Sequence, residues 1–195
     1  LLSATSGVAA KKLNSGDLTA SETEEVLNAV GWIGELPLYV DDTAGLSVAS
    51  LRMKARRFKQ EHGLDLIVVD YLQLMQSAAR DNRVQEISEI SRGLKLLARE
   101  LDVPVLALSQ LNRGVEMRAD KRPLLSDLRD SGSLEQDADI VMFLYRDEYY
   151  NREDETNANI AELIIAKNRN GATATIRMYF DKERTCFQDL LRDSL

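Results

Sequence analysis

The sequence predicts an α/β protein with a mostly parallel sheet flanked by helices and with antiparallel strands at its C-terminal end. Two short apolar runs, residues 66–69 and 103–108, are separated by a long helical pattern. So short an apolar run between helices is typical of a parallel strand buried on both faces of its sheet. The order strand, helix, strand therefore predicts right-handed parallel βαβ units.

The first third of the chain is predicted to be mainly helical. Residues 1–34 have a helical pattern that residues 14–16 interrupt, and Thr19 is expected to cap the second helix. The predicted buried side of that helix consists of Val26, Leu27, Val30 and Ile33. A short strand is expected over residues 36–40. The aspartates that follow it, Asp41 and Asp42, could cap a turn or face an active site.

Two amphipathic helices are predicted on either side of the first apolar run. Ser47 is expected to cap a helix whose apolar residues recur at intervals of three and four. The opposite face of that helix is basic, which is typical of a solvated surface and could also meet DNA. A longer helix of the same kind is expected over residues 84–101.

The second half of the chain changes from a polar segment to strands. Residues 111–136 have no clear period, which is typical of a functional or disordered segment. A strand is predicted over 138–145, followed by a charged loop over 146–159. Three more strands are expected at 160–166, 174–180 and 185–187, with Asn170-Gly171 as a hairpin turn between the first two.

Composition excludes several classes of function. The 195 residues are 44% hydrophobic and 29% charged, and no apolar run is long enough to span a membrane. One histidine, His62, and one cysteine, Cys186, leave no zinc cluster and no internal disulfide. The scarcity of cysteine fits a reducing cytoplasm. A net charge of −7 does not exclude nucleic acid, because a few basic loops can neutralise phosphates.

Asp70 is the first candidate for chemistry. It directly follows the apolar run 66–69, and ligands of open α/β sheets bind just beyond the carboxyl ends of the strands. An apolar strand ending in aspartate is how a Walker B element holds Mg²⁺ beside a nucleotide. Taken alone, Asp70 could equally cap a helix or pair with solvent.

Four motifs together identify a family. Residues 65–75 resemble the Walker B motif of the bacterial replicative DNA helicase family, DnaB, and residues 107–113 resemble its next motif. Residues 126–139 are similar to its DNA-binding motif, and residues 166–171 to its trans-acting finger. The motifs stand in the order found in the family, and the resemblance covers essentially all 195 residues.

The resemblance implies a RecA-like ATPase domain that binds ATP and Mg²⁺ and works in a homo-hexamer. Asp70 would help to hold Mg²⁺, through water. Gln110 would sense the γ-phosphate and report its hydrolysis to the DNA-binding loops. Lys167 and Arg169 would reach the γ-phosphate bound to the neighbouring subunit. These four residues are the implied catalytic group.

The resemblance also implies a grip on single-stranded DNA through Arg129, Asp130 and Gly132. A guanidinium binds a phosphate, and glycine lets backbone N–H groups approach another. Asp130 stands where relatives commonly carry glutamate, so its reach is shorter. The implied function is ATP-driven translocation on single-stranded DNA and unwinding of duplex DNA at the replication fork.

One departure from the family is important. No G-x-x-x-x-G-K-[ST] phosphate loop occurs in the chain, and the family places that loop and a catalytic glutamate upstream of the position of Leu1. Residues 1–195 are therefore expected to be the C-terminal part of the ATPase domain, incomplete at its N-terminus and inactive alone. The complete protein is expected to be cytoplasmic, to belong to the primosome, and to meet primase and a helicase loader.

Two alternatives remain at this point. A RecA-like recombinase or clock-type ATPase would share the general pattern, but the run 127–139 disfavours it. A truncated module that binds DNA or helicase subunits without hydrolysing ATP fits these residues as well as a helicase fragment does.

Overall fold

The computed structural model describes residues 1–77, 82–131, 133–151, 153 and 155–190, apart from the side chains of residues 129–131 and 155. The chain divides into two compact units. One unit consists of Leu1–Val40, Leu144–Ile164 and Thr175–Leu195, and the other of Asp41–Phe143 and Ile165–Ala174. Asp70, Gln110, Lys167 and Arg169 all belong to the second unit.

Three helices open the chain: α1 (Leu2–Ser6), α2 (Ala10–Ser15) and α3 (Ala20–Gly34). Thr19 caps α3 as predicted, because its hydroxyl accepts a hydrogen bond from the Glu22 N–H. The Glu22 carboxylate in turn accepts one from the Thr19 N–H at 2.9 Å, which completes a capping box. A hydrogen bond from Lys12, with those from Thr19, lowers the pKa of Glu22 to about 2.

The buried side of α3 differs from the prediction. Val26 and Ile33 are half-buried as expected, but Leu27 is 65% exposed and Val30 is 52% exposed. Ala29 takes the buried position between the two half-buried residues. Both sets of residues have helical spacing, so periodicity alone could not decide which stripe faces the interior.

The predicted strand over residues 36–40 is wrong. These residues are not assigned to any strand, and Pro37 lacks the backbone donor that a ladder needs. The turn-capping interpretation of Asp41 is confirmed, since its Oδ1 accepts a hydrogen bond from the Thr43 N–H at 3.1 Å.

Helix α4 (Val48–His62) is capped by Ser47, whose hydroxyl accepts a hydrogen bond from the Ser50 N–H at 3.2 Å. Ala55 is buried in its apolar stripe. The basic face is exposed, but several of its cations have acidic partners within the chain: Arg52 and Arg56 with Glu100, and Lys54 with Asp41. This pairing favours the interpretation of a solvated surface over a DNA-binding face.

The predicted parallel unit consists of β1 (Ile67–Val69), α5 (Arg83–Leu101) and β2 (Val105–Ala107). The two strands pair in parallel, with Ile67 opposite Val105 and Val69 opposite Ala107. Apolar residues of α5 supply half of the buried residues in the core cluster beside this pair: Ile87, Ile90, Leu94, Leu97 and Leu101. The predicted core stripe of the long helix is therefore confirmed from Ile87 to Leu101, whereas Val84, predicted to belong to it, is 45% exposed at the start of the helix.

Only one face of the β1–β2 pair is buried. Ile67 is 8% exposed, whereas Val68 is 55% and Leu106 is 43% exposed. The expectation that both faces of these strands are buried is wrong for the part of the chain that the structure describes. An apolar run reveals hydrophobic side chains, but it does not reveal whether a second layer is present to cover them.

The polar segment after β2 adopts short helical turns. Two 3-10 helices, Arg113–Met117 and Leu125–Ser131, precede α6 (Leu134–Asp137) and β3 (Ile140–Tyr145). Side chains of β3 alternate strictly between exposed and buried. In the described part of this segment these helical pieces are joined by residues 118–124, which belong to no helix or strand.

Helix α7 (Asp147–Tyr150) and the 3-10 helix Glu155–Asn157 lie in the predicted charged loop. The last strands are β4 (Ile160–Asn168), β5 (Ala174–Asp181) and β6 (Cys186–Asp189). Strands β3 to β6 form a second sheet in the order β3-β4-β5-β6, in which β5 and β6 are antiparallel. The predicted change from parallel to antiparallel pairing is confirmed, with the two kinds of pairing in separate sheets. Within the described ranges, no helix is long and apolar enough to cross a membrane.

Candidate nucleotide and nucleic-acid site

The carboxyl ends of β1 and β2 meet at one edge of the parallel sheet. The Leu108 N–H donates to the Val69 carbonyl at 2.9 Å, and the Leu72 N–H donates to the Leu108 carbonyl at 2.9 Å. Asp70 therefore leaves the sheet beside the segment that carries Gln110. The structure brings these two predicted residues to the same edge, where α/β proteins bind ligands.

Asp70 is exposed and follows β1 directly. Its carboxylate forms no hydrogen bond or ion pair with other residues that the structure describes, and the Asp70–Tyr71 peptide bond is cis. Leu72, two residues later, is 1% exposed and anchors the segment in the core. An anchored backbone with a free carboxylate is a suitable arrangement for an oxygen ligand of a cation.

Gln73 fixes the segment that carries Gln110. Its side-chain Nε2 donates to the Ser109 hydroxyl at 3.1 Å and to the Gln110 carbonyl at 3.4 Å, while its Oε1 accepts from the Gln110 N–H at 3.3 Å. The Gln110 main chain is thus held on both sides, and its side chain remains exposed. Reasoning from sequence missed Gln73, because no spacing rule links it to Gln110.

The start of α5 holds the same loop from the other side. Arg83 Nη2 donates to the Gln73 carbonyl at 2.7 Å. The loop after β1 is therefore tied both to the end of β2 and to the first residue of the long helix. These bonds connect the two strand ends without using the side chains of Asp70 or Gln110.

A partly buried ion pair organises the polar segment after β2. The two terminal guanidinium nitrogens of Arg118 donate to the Asp127 carboxylate, at 2.9 and 2.8 Å, and Asp127 is 8% exposed. The same carboxylate accepts a hydrogen bond from the Leu124 N–H at 2.7 Å. Such a bidentate pair fixes the geometry of the segment as well as neutralising the charge.

The predicted DNA-binding residues follow this ion pair. The backbones of Arg129 and Asp130 belong to the 3-10 helix Leu125–Ser131. Gly132 and the side chains of Arg129 and Asp130 lie outside the described part of the structure. For this prediction the structure shows one thing: Arg129 comes two residues after Asp127, whose carboxylate is held by Arg118.

Lys167 and Arg169 lie at the end of β4 and just beyond it, next to α6. The Lys167 ammonium donates to the carbonyls of Glu135 at 2.6 Å and Ala138 at 2.7 Å, at the C-terminal end of α6. The last carbonyls of a helix have no N–H partner within it, and a lysine at this place donates to them instead. Arg169 Nη1 pairs with Asp139 Oδ1 at 3.0 Å, so the structure brings the two predicted cations to one place.

Asp139 is a second residue that reasoning from sequence missed. Its carboxylate accepts a hydrogen bond from Lys95 and also faces Arg169, and its main-chain carbonyl accepts from the Arg169 N–H at 2.9 Å. The Lys95 hydrogen bond, supported by the charges of Lys95, Arg169 and Lys167, lowers the pKa of Asp139. Only tertiary structure reveals this cluster, because its members come from α5, from the residue just before β3, and from the end of β4 and the residue just beyond it.

The predicted residues therefore form two groups within the second unit. No bond among the described residues joins Asp70 or Gln110 to Lys167 or Arg169. The described residues also contain no group of three or more histidine, cysteine, aspartate or glutamate residues suited to hold a metal ion. A cation at Asp70 would thus need further ligands, such as phosphate oxygens and water.

Comparison with curated proteins shows which proteins this chain is similar to. The chain is 54% identical over 194 residues to the replicative DNA helicase DnaC of Bacillus subtilis and, equally, to the replicative DNA helicase DnaB of Geobacillus stearothermophilus. Each alignment covers 98% of this chain and 42% of the relative. The chain therefore spans less than half the length of these curated relatives.

The chain is also similar to solved structures of helicase ATPase domains. One that is described as an ATPase domain matches with a TM-score of 0.93 and 46% identity, over 98% of this chain and 69% of that one. A DnaB-like replicative helicase, solved to show its interactions with primase, matches with a TM-score of 0.92 and 45% identity, over 98% and 48%. A family model described as the DnaB-like helicase C-terminal domain matches residues 1–189. The RecA-like fold is thereby confirmed, and the chain belongs to the family of DnaB-like helicase C-terminal domains.

Proposed function

We propose that this chain is part of a replicative DNA helicase that hydrolyses ATP to move along single-stranded DNA and to unwind duplex DNA at the fork. The observation that carries the proposal is the edge where β1 and β2 end, with Asp70 exposed and Gln110 held beside it. Relatives that share about half of its residues are named replicative DNA helicases, which supports the same activity here.

Asp70 is the proposed ligand for Mg²⁺, directly or through water. The fit rests on a carboxylate that is exposed, stands at the carboxyl end of a parallel strand, and has no competing bond among the described residues. Magnesium in nucleotide sites is commonly bound by one or two carboxylates together with phosphate oxygens. When bound with ATP, it neutralises charge on the phosphates.

Gln110 is the proposed sensor of the γ-phosphate. Gln73 fixes its main chain, so the exposed side-chain amide starts from a defined position at the sheet edge. An amide can donate to a phosphate oxygen and can lose that bond after hydrolysis. Because Gln73 belongs to the loop after β1, its bonds to Gln110 connect any movement of Gln110 after hydrolysis to that loop.

Lys167 and Arg169 are proposed to act on ATP bound to the neighbouring subunit of a homo-hexamer. Both are cations within one short segment, and a guanidinium supplied by another subunit is a known way to stabilise the charge of phosphoryl transfer. The ion pair between Arg169 and Asp139 is about half exposed, so it is weak enough to exchange for a phosphate contact.

The DNA contact is proposed at Arg129, Asp130 and Gly132. The ion pair between Asp127 and Arg118 holds the segment that leads into these residues. A guanidinium on phosphate supplies affinity that does not depend on base sequence, which suits a protein that must move along any strand.

The complete protein would include more than these residues. We propose that residues 1–195 are the C-terminal part of its RecA-like ATPase domain, since the chain covers 42% of its curated relatives and contains no phosphate-loop motif. Primase and a helicase loader are proposed partners of the complete protein. Its proposed location is the cytoplasm, where DNA is replicated in bacteria.

Mixed hexamers of the complete protein test this function. Arg169→Ala alone and Asp70→Ala alone should both be nearly inactive, since a trans-acting arginine contributes about 10³–10⁵ in rate. Mixing the two variants should restore part of the ATP hydrolysis. At some boundaries an Arg169→Ala subunit supplies Asp70 while an Asp70→Ala subunit supplies Arg169, and those boundaries are intact.

Each other outcome has a distinct meaning. Normal hydrolysis by Arg169→Ala would show that Arg169 takes no part in the reaction and only forms its surface ion pair with Asp139. An inactive Arg169→Ala variant that mixing does not rescue would show that Arg169 acts within its own subunit. A complete protein that hydrolyses no ATP at all would favour the alternative of a module that binds DNA or helicase subunits.

A further inference from the structure

Asp139 holds Arg169 through both its side chain and its main chain. Arg169 Nη1 lies 3.0 Å from Asp139 Oδ1, and the Arg169 N–H donates to the Asp139 carbonyl at 2.9 Å. Together the two contacts restrict the arginine. The main-chain bond fixes the backbone from which the side chain starts, and the ion pair fixes the guanidinium at its end. Arg169 is therefore aimed by the residue that directly precedes β3.

The carboxylate of Asp139 is itself oriented by α5. Lys95 donates to Asp139 Oδ2, so the two carboxylate oxygens serve two different cations. Ser91, four residues earlier and on the same side of α5, donates to Asp137 at 2.8 Å. Helix α5 thus holds the residues on both sides of Ala138, through Ser91 and Lys95. These bonds determine where the Asp139 carboxylate lies and how it is oriented.

The pair with Arg169 contributes little to folding. The two side chains are 51% and 52% exposed, and exposed ion pairs add little to the free energy of unfolding. An exposed pair with two points of attachment has another effect, which is to restrict the rotamers of the arginine. A planar guanidinium gains from such preorganisation because its hydrogen bonds depend on direction.

We propose that Asp139 is a positioning residue for Arg169, holding the guanidinium in the orientation from which it reaches the nucleotide of the neighbouring subunit. This inference rests on the proposed trans-acting role of Arg169. The carboxylate does not touch ATP. It limits the conformations that Arg169 samples before it engages the phosphate, and it receives the guanidinium again when the phosphate has left.

Asp139→Asn in the complete protein is the central variant. The Lys95 hydrogen bond lowers the pKa of Asp139, so the residue is ionised at neutral pH and asparagine removes its charge while keeping its size. We expect kcat for ATP hydrolysis to fall about tenfold, which corresponds to restoring the rotamer freedom of one arginine. The KM for ATP should change little. Asp139→Glu restores the charge and should recover most of the rate.

Two further variants complete the test. In an Arg169→Ala background, measured with radiolabelled ATP so that the residual rate is visible, Asp139→Asn should cause no further loss. Asp102→Asn is the matched control, because Asp102 is exposed directly after α5 and has no bond to Arg169. Its hydrolysis rate should equal that of the unchanged protein.

The outcomes separate this inference from the proposed function. If Arg169→Ala is nearly inactive but Asp139→Asn hydrolyses normally, only the positioning role is overturned. An equal loss from Asp139→Asn with and without Arg169 would place its action elsewhere and would also overturn it. If Arg169→Ala itself hydrolyses normally, the trans-acting role fails, and the positioning role fails with it.

Discussion

Asp70 and Arg169 are proposed to serve the same reaction from two subunits, yet their surroundings are opposite. Asp70 is exposed and has no bonded partner among the described residues. Arg169 pairs with Asp139, and its neighbour Lys167 donates to the carbonyls of Glu135 and Ala138. Asp70 is thus an open residue, meaning that its side chain is exposed and bonded to no other described residue. Lys167 and Arg169, in contrast, already have contacts within their own chain.

The difference separates two kinds of proposed functional residue, those whose side chains have no bonded partner and those whose side chains have one. Substituting an open residue removes chemistry and leaves the fold unchanged, because no contact is lost. Substituting a residue with partners removes chemistry and local structure together. Measurements of ATP hydrolysis and of unfolding on the same variants therefore distinguish the two kinds.

The largest effect is expected for Asp70→Ala in the complete protein. ATP hydrolysis should fall about a thousandfold or more, since a cation held at the phosphates stabilises the transition state by several kcal/mol. The free energy of unfolding should change by less than about 0.5 kcal/mol, as for other exposed positions. Stopped hydrolysis with unchanged thermal unfolding is the expected result.

Asp65→Ala is the matched control for this variant. Asp65 is also exposed, but it precedes β1 and so lies at the opposite end of the same strand from Asp70. It should leave hydrolysis and unfolding unchanged. A marked loss of stability in Asp70→Ala would contradict the description of Asp70 as an open residue.

An intermediate effect is expected for Lys167→Met. Loss of a charge-assisted contact to the phosphate should reduce hydrolysis about 10- to 100-fold. The variant should also lower the free energy of unfolding by about 1–2 kcal/mol, because two carbonyls at the end of α6 lose their donor. Urea unfolding and steady-state hydrolysis on one preparation measure both.

Lys54→Met provides the comparison for Lys167. Lys54 lies in the same unit and its ammonium is 2.7 Å from Asp41, but the pair is exposed. Its loss should cost less than about 1 kcal/mol and should leave hydrolysis unchanged. If Lys167→Met were no less stable than Lys54→Met, the contacts of Lys167 with α6 would have no structural importance.

Much of the fold could be predicted because local rules determine it. The caps at Thr19 and Ser47 require only a hydroxyl before a helical pattern, and the core side of α5 requires only its period. Two features could not be predicted: which of two apolar stripes on α3 is buried, and that Val68 lies on an exposed face of its sheet. Both depend on which other elements cover a surface, and that information is tertiary.

The candidate site shows the same division. Asp70 was predictable from a strand that ends in a carboxylate, and Lys167 and Arg169 from a motif. Gln73 and Asp139 were not predictable, because their partners are distant in the sequence, Ser109 for Gln73 and Lys95 for Asp139. The residues proposed to act directly carry local signals in the sequence, whereas the residues bonded to them are visible only in the structure.

The smallest effect is expected for Gln73→Leu, which tests whether an open side chain still needs a fixed main chain. Leucine keeps a similar volume but loses the three hydrogen bonds to Ser109 and Gln110. Because Gln73 acts on hydrolysis only through the position of Gln110, most of the lost bond energy affects local stability, and hydrolysis should fall several-fold and by no more than about tenfold, or about 1.4 kcal/mol. The loss should appear in kcat, with the KM for ATP nearly unchanged.

Gln60→Leu is a suitable control, because Gln60 is exposed on α4 and has no role at the sheet edge. Combining Gln73→Leu with Gln110→Ala sharpens the test further. If Gln73 acts by holding Gln110, its substitution should add little once the Gln110 side chain has been removed. Independent, additive losses would mean that the Gln73 side chain acts by another route than Gln110, namely by tying the loop after β1 to the Ser109 hydroxyl at 3.1 Å. The double variant therefore decides whether Gln73 acts through Gln110 or through the loop after β1.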